Sequence, residues 1–218
     1  CFVYEDEHLA VLDKPSGVPV QPGSRQQDSI SERLQAYYAS RPWQPTPVHR
    51  LDKDTSGLLL VAKTYEQLRQ LHSLWRENKI TKTYLAWIKG NFNCREWVNL
   101  EDKLTKSQNA QGREIVSSNA QGKPARSSVK TILHKKGASL VAVNLQTGRK
   151  HQIRAQLSLR GHPVLGDLKY GGNRHPSGLL LHAWHLSWQD HCFILPPAWD
   201  GELKLPLQGS GLEQYLRP

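Results

Sequence analysis

The sequence predicts an α+β fold in which a mixed, mostly antiparallel central sheet is flanked by helices. Three observations favour this class. Strand-like segments outnumber helix-like ones, several strands follow one another as in hairpins, and no linker or domain-sized repeat divides the 218 residues. Because 38% of the residues are hydrophobic, the chain can bury a substantial core, and we treat residues 1–218 as one domain.

The N-terminal segments predict two strands and a helix. Residues 2–14, FVYEDEHLAVLDK, read as two short strands around a polar turn. Residues 18–27 hold two prolines and a glycine and are expected to form a loop. A helix is expected to start near Asp28, because Ser29 and Glu32 have the spacing of a capping box.

The next segments predict a strand, a helix and a second strand. Residues 57–63, GLLLVAK, form a short apolar run that is typical of a buried strand. A helix should follow, with Thr64 as its N-cap and Gln67 three residues further on. Residues 80–90, ITKTYLAWIKG, alternate in polarity, which predicts another strand.

The C-terminal half predicts further strands joined by polar turns. The segment 101–128 is polar and contains the tetrapeptide NAQG at positions 109 and 119, which we interpret as two turns of a long hairpin. Residues 139–145, SLVAVNL, and 179–188, LLLHAWHLSW, predict two more strands.

The charge balance leaves two interpretations open. Lys and Arg number 29 against 19 acidic residues, a net charge of +10, which indicates either a polyanionic partner such as nucleic acid or an ordinary basic surface. Three widely spaced cysteines without a CxxC pair indicate neither a disulfide framework nor a zinc site, and they fit a reducing, cytoplasmic compartment. No apolar run reaches membrane-spanning length.

The stretch HRLDKDTSG, residues 49–57, concentrates polar side chains directly before an apolar strand. A carboxylate at the edge of a core, such as Asp52, must be paired or hydrogen-bonded to stay charged. The hydroxyls of Thr55 and Ser56, turn N–H groups or an arginine can do this, and Gly57 allows close approach of backbone or ligand. The local pattern also fits an Asx-turn in which the aspartate only caps its own loop.

The most basic segment, residues 147–163, predicts a helix that ends at Gly161. A helix N-terminus with extra cations suits phosphates, but Arg149 and Lys150 fit a solvated surface equally well. Arg154 lies beside apolar residues, and a buried arginine needs a carboxylate partner.

Other patterns give weaker indications. Tyr84 can stack on a base through its ring, or it can be a core tyrosine. His151 and Arg154 are three residues apart and should share a helix face. His182 and His185 fall on opposite faces of a strand, which is unfavourable for one metal ion. Neither GxGxxG nor GxxxxGK[ST] occurs, so no nucleotide cofactor is predicted.

Several segments together resemble one family. In chain order they are LDKPSG, HRLDKDTSGLLLVAK, KTYLAWIKG, GKPARS, TGRKHQIR, GHPVLGDLKYG and LLLHAW. They resemble the RluA-type pseudouridine synthases and cover most of the chain from Asp13 to Trp184. The resemblance implies a catalytic domain over residues 1–218, with a cleft across its sheet, that isomerises uridine in RNA without a cofactor or a metal.

The resemblance also implies roles for single residues. Asp52 matches the catalytic aspartate, Tyr84 the tyrosine that packs against the target base, and Arg154 the arginine that ion-pairs with the aspartate. Arg50 resembles the arginine that helps to displace the base from the RNA stack. The other residues expected to support or bind the substrate are Lys14, Arg149, Lys150, Gln152 and Leu180.

The expected substrate is large-subunit ribosomal RNA, because GKPARS and HQIR look closest to members with that target. Transfer RNA and a non-catalytic role in RNA assembly stay open as alternatives. We expect a monomer that flips the target base out of the RNA. A small RNA-binding domain upstream would fit a chain that starts at Cys1. Asp52 can attack the anomeric carbon, remove a ribose proton to form a glycal, or attack the pyrimidine ring.

Overall fold

The computed structural model describes residues 1–23, 28–108, 112 and 114–205. The chain divides into two compact units. Unit 1 comprises Cys1–Thr81 and His182–Pro197, and unit 2 comprises Lys82–Leu181 and the chain from Ala198 onward. Within the described ranges, no helix is long and apolar enough to cross a membrane.

The elements follow one another along the described chain as strands with three interspersed helices. The strands are β1 (Phe2–Glu5), β2 (Leu9–Lys14), β3 (Thr46–Pro47), β4 (Ser56–Ala62), β5 (Thr81–Lys89), β6 (Val98–Gln108), β7 (Glu114–Ser118), β8 (Lys123–Lys135), β9 (Ala138–Leu145), β10 (Leu181–Trp188) and β11 (His191–Ile194). The helices are α1 (Ile30–Tyr37), α2 (Tyr65–Arg76) and α3 (Gln152–Leu159), with a 3₁₀ turn at Gly201–Leu203.

Unit 1 is organised around β4, whose side chains are buried on both faces. β2 pairs antiparallel with β1 and β4, β3 pairs antiparallel with β4, and β11 pairs antiparallel with β10. β10 lies parallel to β4, with Ala183 opposite Gly57. The core beneath this sheet includes Leu58, Leu60 and the fully buried Leu71 of α2. The two N-terminal strands and the strand over 57–63 are thus confirmed.

Both helices of unit 1 begin where their capping residues predict. The Ser29 hydroxyl oxygen accepts a hydrogen bond from the Glu32 N–H and donates to the Glu32 carboxylate at the start of α1. Thr64 accepts the N–H of Gln67 at the start of α2. These bonds satisfy N–H groups that have no partner within the helix. The preceding loop prediction is only partly covered, because residues 24–27 lie outside the described ranges.

Unit 2 contains an antiparallel sheet in the order β5, β9, β8, β6, β7. The polarity of β5 alternates in the sequence, but the strand is buried on both faces. The edge of β5 that does not pair with β9 also forms hydrogen bonds at Trp87. The Trp87 N–H donates to the Leu180 carbonyl, and the Trp87 carbonyl accepts the Leu165 N–H. The parallel pair in unit 1 and the antiparallel pairs in both units agree with the predicted mixed, mostly antiparallel sheet.

The long hairpin predicted over 101–128 is present as β6, β7 and β8. At the second NAQG, the Asn119 carbonyl accepts the Gly122 N–H at 2.8 Å, which closes the turn. The first NAQG cannot be compared in the same way, because residues 109–111 lie outside the described ranges.

Helix α3 occupies the basic segment as predicted. Its C-terminal end is followed by Gly161 with φ +79°, a left-handed conformation that favours glycine. Its N-cap is His151, which has φ +51° although it is not glycine. A non-glycine residue in the left-handed region of φ and ψ carries backbone strain, and such strain is common at functional sites.

Candidate active site

Asp52 lies in the turn before β4 and is half-buried. The turn is closed by the Thr55 N–H, which donates to the Asp52 carbonyl at 3.1 Å. The segment that follows β2 forms two hydrogen bonds with the backbone of this turn. The Gly17 N–H donates to the Lys53 carbonyl at 3.0 Å, and the Ser16 hydroxyl donates to the Asp54 carbonyl at 2.7 Å. The backbone of this turn is therefore fixed on both sides of Asp52.

Lys14 completes this support from within the core. Its side chain is fully buried, and Nζ donates to the carbonyls of Pro15 (2.7 Å), Val18 (2.8 Å) and Lys53 (3.0 Å). Burial lowers the pKa of Lys14 to about 8, against the attraction of nearby carboxylates that include Asp52. An ammonium has three donors. All three are used by the protein, so we assign Lys14 to the support of the Asp52 turn instead of direct contact with a ligand.

Gly57 allows the close backbone approach that the sequence predicts. Its φ is +108°, and a Cβ at this position would lie 2.3 Å from the Ala183 carbonyl oxygen. The neighbour is the backbone of β10, so this glycine lets β4 and β10 pair directly behind the Asp52 turn.

The Ser56 hydroxyl does not serve as the expected support for Asp52. It lies 2.8 Å from Nδ1 of His182, whose Nε2 lies 2.9 Å from the Leu195 carbonyl. A carbonyl can only accept, so Nε2 carries the proton and Nδ1 accepts from Ser56. Burial lowers the pKa of His182 to about 4, so the imidazole is neutral near pH 7. Of the groups that could support Asp52, the Ser56 hydroxyl is thus committed elsewhere, to a partner 126 residues away in sequence.

His49 anchors the chain that leads into Asp52, a role that the sequence did not reveal. Its Nε2 accepts the Leu60 N–H at 3.1 Å, and its ring stacks on Trp75 of α2 with centroids 4.5 Å apart. The next residue, Arg50, is exposed. An anchored histidine therefore precedes an arginine that is exposed to solvent.

In unit 2, Arg154 is 6% exposed and pairs with Asp167. Nε donates to Oδ2 at 2.6 Å and Nη2 donates to Oδ1 at 2.8 Å, a bidentate geometry that fixes the guanidinium plane. Sequence reasoning required a carboxylate partner for this arginine but did not consider Asp167. The available signal was the aspartate within GHPVLGDLKYG.

Tyr170 connects Arg154 to the strained N-cap of α3. The Arg154 guanidinium carbon lies 5.1 Å from the centre of the Tyr170 ring. The Tyr170 hydroxyl accepts the Val116 N–H at 2.8 Å and lies 2.9 Å from Nδ1 of His151. His151 and Arg154 thus share a neighbour, as their spacing of three residues predicts.

Three basic side chains near the N-terminal end of α3 differ in their surroundings. Lys150 forms a half-exposed ion pair with Glu114, which screening by solvent makes weak. Burial lowers the pKa of Lys169, and the nearby positive charges of Arg154 and Lys150 lower it further. Arg149 is exposed, and its Nε donates to the Pro124 carbonyl at 2.9 Å.

Gln152 has a structural position that differs from the expected contact with substrate. Its Oε1 accepts the Thr147 hydroxyl and the Arg149 N–H, while Nε2 donates to the Arg126 carbonyl and to Gln156. Two lone pairs and two N–H groups are the whole capacity of a carboxamide. Because all four are used and the residue is 3% exposed, we assign Gln152 to the packing of α3.

Two further predicted residues lie in the core of unit 2. Tyr84 is 9% exposed and stands opposite Val143 in the pairing of β5 with β9. Leu180 is fully buried, and its carbonyl accepts the Trp87 N–H at 3.1 Å. These positions define where the two side chains lie, and their contact with a base stays a prediction.

The chain is similar to known proteins over most of its length. A family model described as RNA pseudouridylate synthase matches residues 8–159. Ribosomal large subunit pseudouridine synthase C of Vibrio cholerae is 38% identical over 226 aligned positions, which cover 99% of this chain and 68% of that protein. The protein of the same name from Escherichia coli K12 is 39% identical over 170 positions, which cover 78% of this chain and 53% of that protein.

A third relative of that name, from Pasteurella multocida, is 36% identical over 196 positions, which cover 86% of this chain and 60% of that protein. The chain thus spans from about half to two thirds of the length of these relatives.

Solved structures agree with the predicted fold class. Human RNA Pseudouridylate Synthase Domain Containing 1 superposes with a TM-score of 0.76 at 23% identity, over 100% of this chain and 95% of that one. Human RNA Pseudouridylate Synthase Domain Containing 4 superposes with a TM-score of 0.72 at 22% identity, over 90% of this chain and 88% of that one. At these identities the likeness concerns the fold alone.

Proposed function

Because the chain belongs to the RNA pseudouridylate synthase family, we propose that it isomerises uridine to pseudouridine in RNA, with Asp52 as its catalytic group. The observation that carries the proposal is the family match over residues 8–159, which includes Asp52, Tyr84 and Arg154. The local geometry supports it, since the turn around Asp52 is fixed by the buried Lys14 and the segment that follows it.

The reaction detaches uracil from the ribose at its ring nitrogen and rejoins it through carbon five. Asp52 attacks the anomeric carbon as a nucleophile, or it removes a ribose proton as a base and a glycal forms. Both routes use the carboxylate form. Lys14 holds the turn that carries this carboxylate in place through its hydrogen bond to the Lys53 carbonyl.

Tyr84 and Arg154 serve the same nucleotide in this proposal. The Tyr84 ring packs against the detached uracil and keeps it from escaping, and Leu180 contributes an apolar wall. Arg154 ion-pairs with the catalytic aspartate. Its bidentate contact with Asp167 sets the orientation of the guanidinium before substrate binds.

The proposed substrate is large-subunit ribosomal RNA, because the relatives named above carry that substrate in their names. A uridine in folded RNA must be flipped out of its stack before Asp52 can reach it. The exposed Arg50 takes the place of the displaced base, while Arg149 and Lys150 contact flanking phosphates. We place this reaction in the cytoplasm, by a monomer, with transfer RNA as the alternative substrate.

The test measures tritium released from RNA that carries tritium on carbon five of uridine. Wild-type protein should release tritium and leave the RNA mass unchanged, and Asp52→Asn should release none while binding RNA as before. Undiminished release by Asp52→Asn would exclude the catalytic role of Asp52. Free uracil and abasic sites would identify an N-glycosylase, and tight binding without any release would identify an RNA-binding assembly factor.

A further inference from the structure

The outer face of α2 carries a basic groove next to the chain that leads to Asp52. The groove has a volume of about 490 Å³ and is lined by Glu66, Arg69, Gln70, His72, Ser73 and Arg76. Arg69, His72 and Arg76 follow the helical spacing of three and four residues, so they form one ridge along α2.

The two arginines of this groove are not committed to partners in the described part of the chain. Both are exposed, and neither guanidinium forms a hydrogen bond or an ion pair within residues 1–23, 28–108, 112 and 114–205. The neighbouring carboxylates have other hydrogen-bond partners, although Arg76, after Lys79 and Ser73, also contributes to lowering the pKa of Glu77. Glu66 accepts from the Gln70 amide at 3.3 Å, and Glu77 accepts from the Ser73 hydroxyl and pairs with Lys79.

Two contacts join the groove to the segment that carries Arg50 and Asp52. His72 Nε2, in the middle of the ridge, lies 3.2 Å from the Val48 carbonyl. On the same helix, the Trp75 ring stacks on His49. Val48 and His49, which precede Arg50 and Asp52 in the chain, are therefore packed against α2 within unit 1.

We propose that this groove is an RNA-binding surface in which Arg69 and Arg76 bind phosphates that flank the target uridine. Guanidinium groups bind phosphate oxygens in bidentate fashion, and seven residues of helix separate the two by roughly 10 Å along the axis. The chain has a net charge of +10, which favours a polyanion over an uncharged partner. This inference rests on the proposed function, because it takes RNA as the substrate.

The experiment compares the double variant Arg69→Gln/Arg76→Gln with Arg33→Gln. Arg33 is also an exposed helical arginine of unit 1, but it pairs with Asp28 at 2.7 Å, so its loss measures the effect of removing one positive charge outside the groove, and twice that effect is the reference for the double variant. Affinity for a labelled fragment of large-subunit ribosomal RNA is measured by anisotropy between 50 and 300 mM salt. Phosphate contacts do not depend on sequence, so the fragment need not contain the modified uridine.

The double variant should bind about tenfold more weakly near 150 mM salt, and its salt slope should fall by about 1.5, since each phosphate contact contributes about 0.7 to 0.9. For tritium release, KM should rise by more than kcat falls. Changes in affinity and salt slope no larger than twice those of Arg33→Gln would overturn the proposal, as would a loss of kcat at unchanged affinity. If wild-type protein releases no tritium, the isomerase proposal fails, and the binding comparison still decides the role of the groove.

Discussion

Asp167 receives two hydrogen bonds from Arg154, at 2.6 and 2.8 Å, in a position where the two side chains are 1% and 7% exposed. A planar carboxylate that meets a planar guanidinium in this way leaves the arginine one orientation. The arginine proposed to act on Asp52 is therefore oriented by its own unit, and it does not depend on substrate to be placed.

We expect Asp167→Asn to destabilise the protein by about 3 to 5 kcal/mol, because it breaks a buried, bidentate ion pair by removing the charge of one partner. Urea unfolding followed by tryptophan fluorescence measures this change. Asp28→Asn is the matched control, since Asp28 pairs with Arg33 with the same bidentate geometry at an exposed site. Asp28→Asn should lower the free energy of unfolding by less than about 1 kcal/mol. Equal losses in the two variants would contradict the argument.

Replacing Lys14 tests the support of the Asp52 turn. Lys14→Met keeps the length of the side chain but leaves the carbonyls of Pro15, Val18 and Lys53 without their donor. We expect a loss of about 2 to 4 kcal/mol of stability, and tritium release reduced at least tenfold in protein that is still folded, because buried carbonyls stay unsatisfied and the turn loosens. The exposed Lys53→Met, beside Asp52, is the control for charge. If it lowers kcat as much as Lys14→Met does, the anchoring role is wrong.

The local elements of this fold were predictable because their determinants lie within a few residues. Ser29 and Thr64 cap their helices through atoms three residues away, and the buried apolar residues of β4 follow directly after Gly57. Physical rules for caps, turns and periodicity act at this range.

The site was predicted less completely because its contacts join distant parts of the chain. Ser56 lies next to Asp52 in sequence, but its hydroxyl donates to a histidine 126 residues away. Lys14 and Gln152 were expected to support or bind the substrate, and the polar atoms of both side chains make all their hydrogen bonds within the protein. Residue type and spacing do not reveal the direction of such side chains, and Asp167 was overlooked for the same reason.

His182 should make stability depend on pH. Its pKa is about 4 in the folded state against 6.5 for an ordinary histidine, so between these values the unfolded state binds more protons. Stability is then unaffected by this group above about pH 6.5 and falls as the pH decreases towards 4, by about 3 kcal/mol in total. Urea midpoints at pH 7.5, 6, 5 and 4 measure the change.

The matched variant for this prediction is His182→Gln, which has no group that titrates in this range. Its unfolding free energy should decrease less between pH 7 and pH 4 than that of the wild type. Parallel curves for the two proteins would show that the acid sensitivity arises from other groups.

Gly57→Ala should prevent the normal pairing of β4 with β10. The new methyl group would lie 2.3 Å from the Ala183 carbonyl oxygen, and φ is +108°, so a backbone clash adds to conformational strain. We expect a loss well above about 3 kcal/mol, seen as a low urea midpoint or as insoluble protein. Gly17→Ala is the control, because Gly17 has φ +84° with no atom within 4 Å of the added Cβ. Strain alone should cost it about 1 to 2 kcal/mol, so similar losses at the two glycines would contradict the role of close backbone approach behind the Asp52 turn.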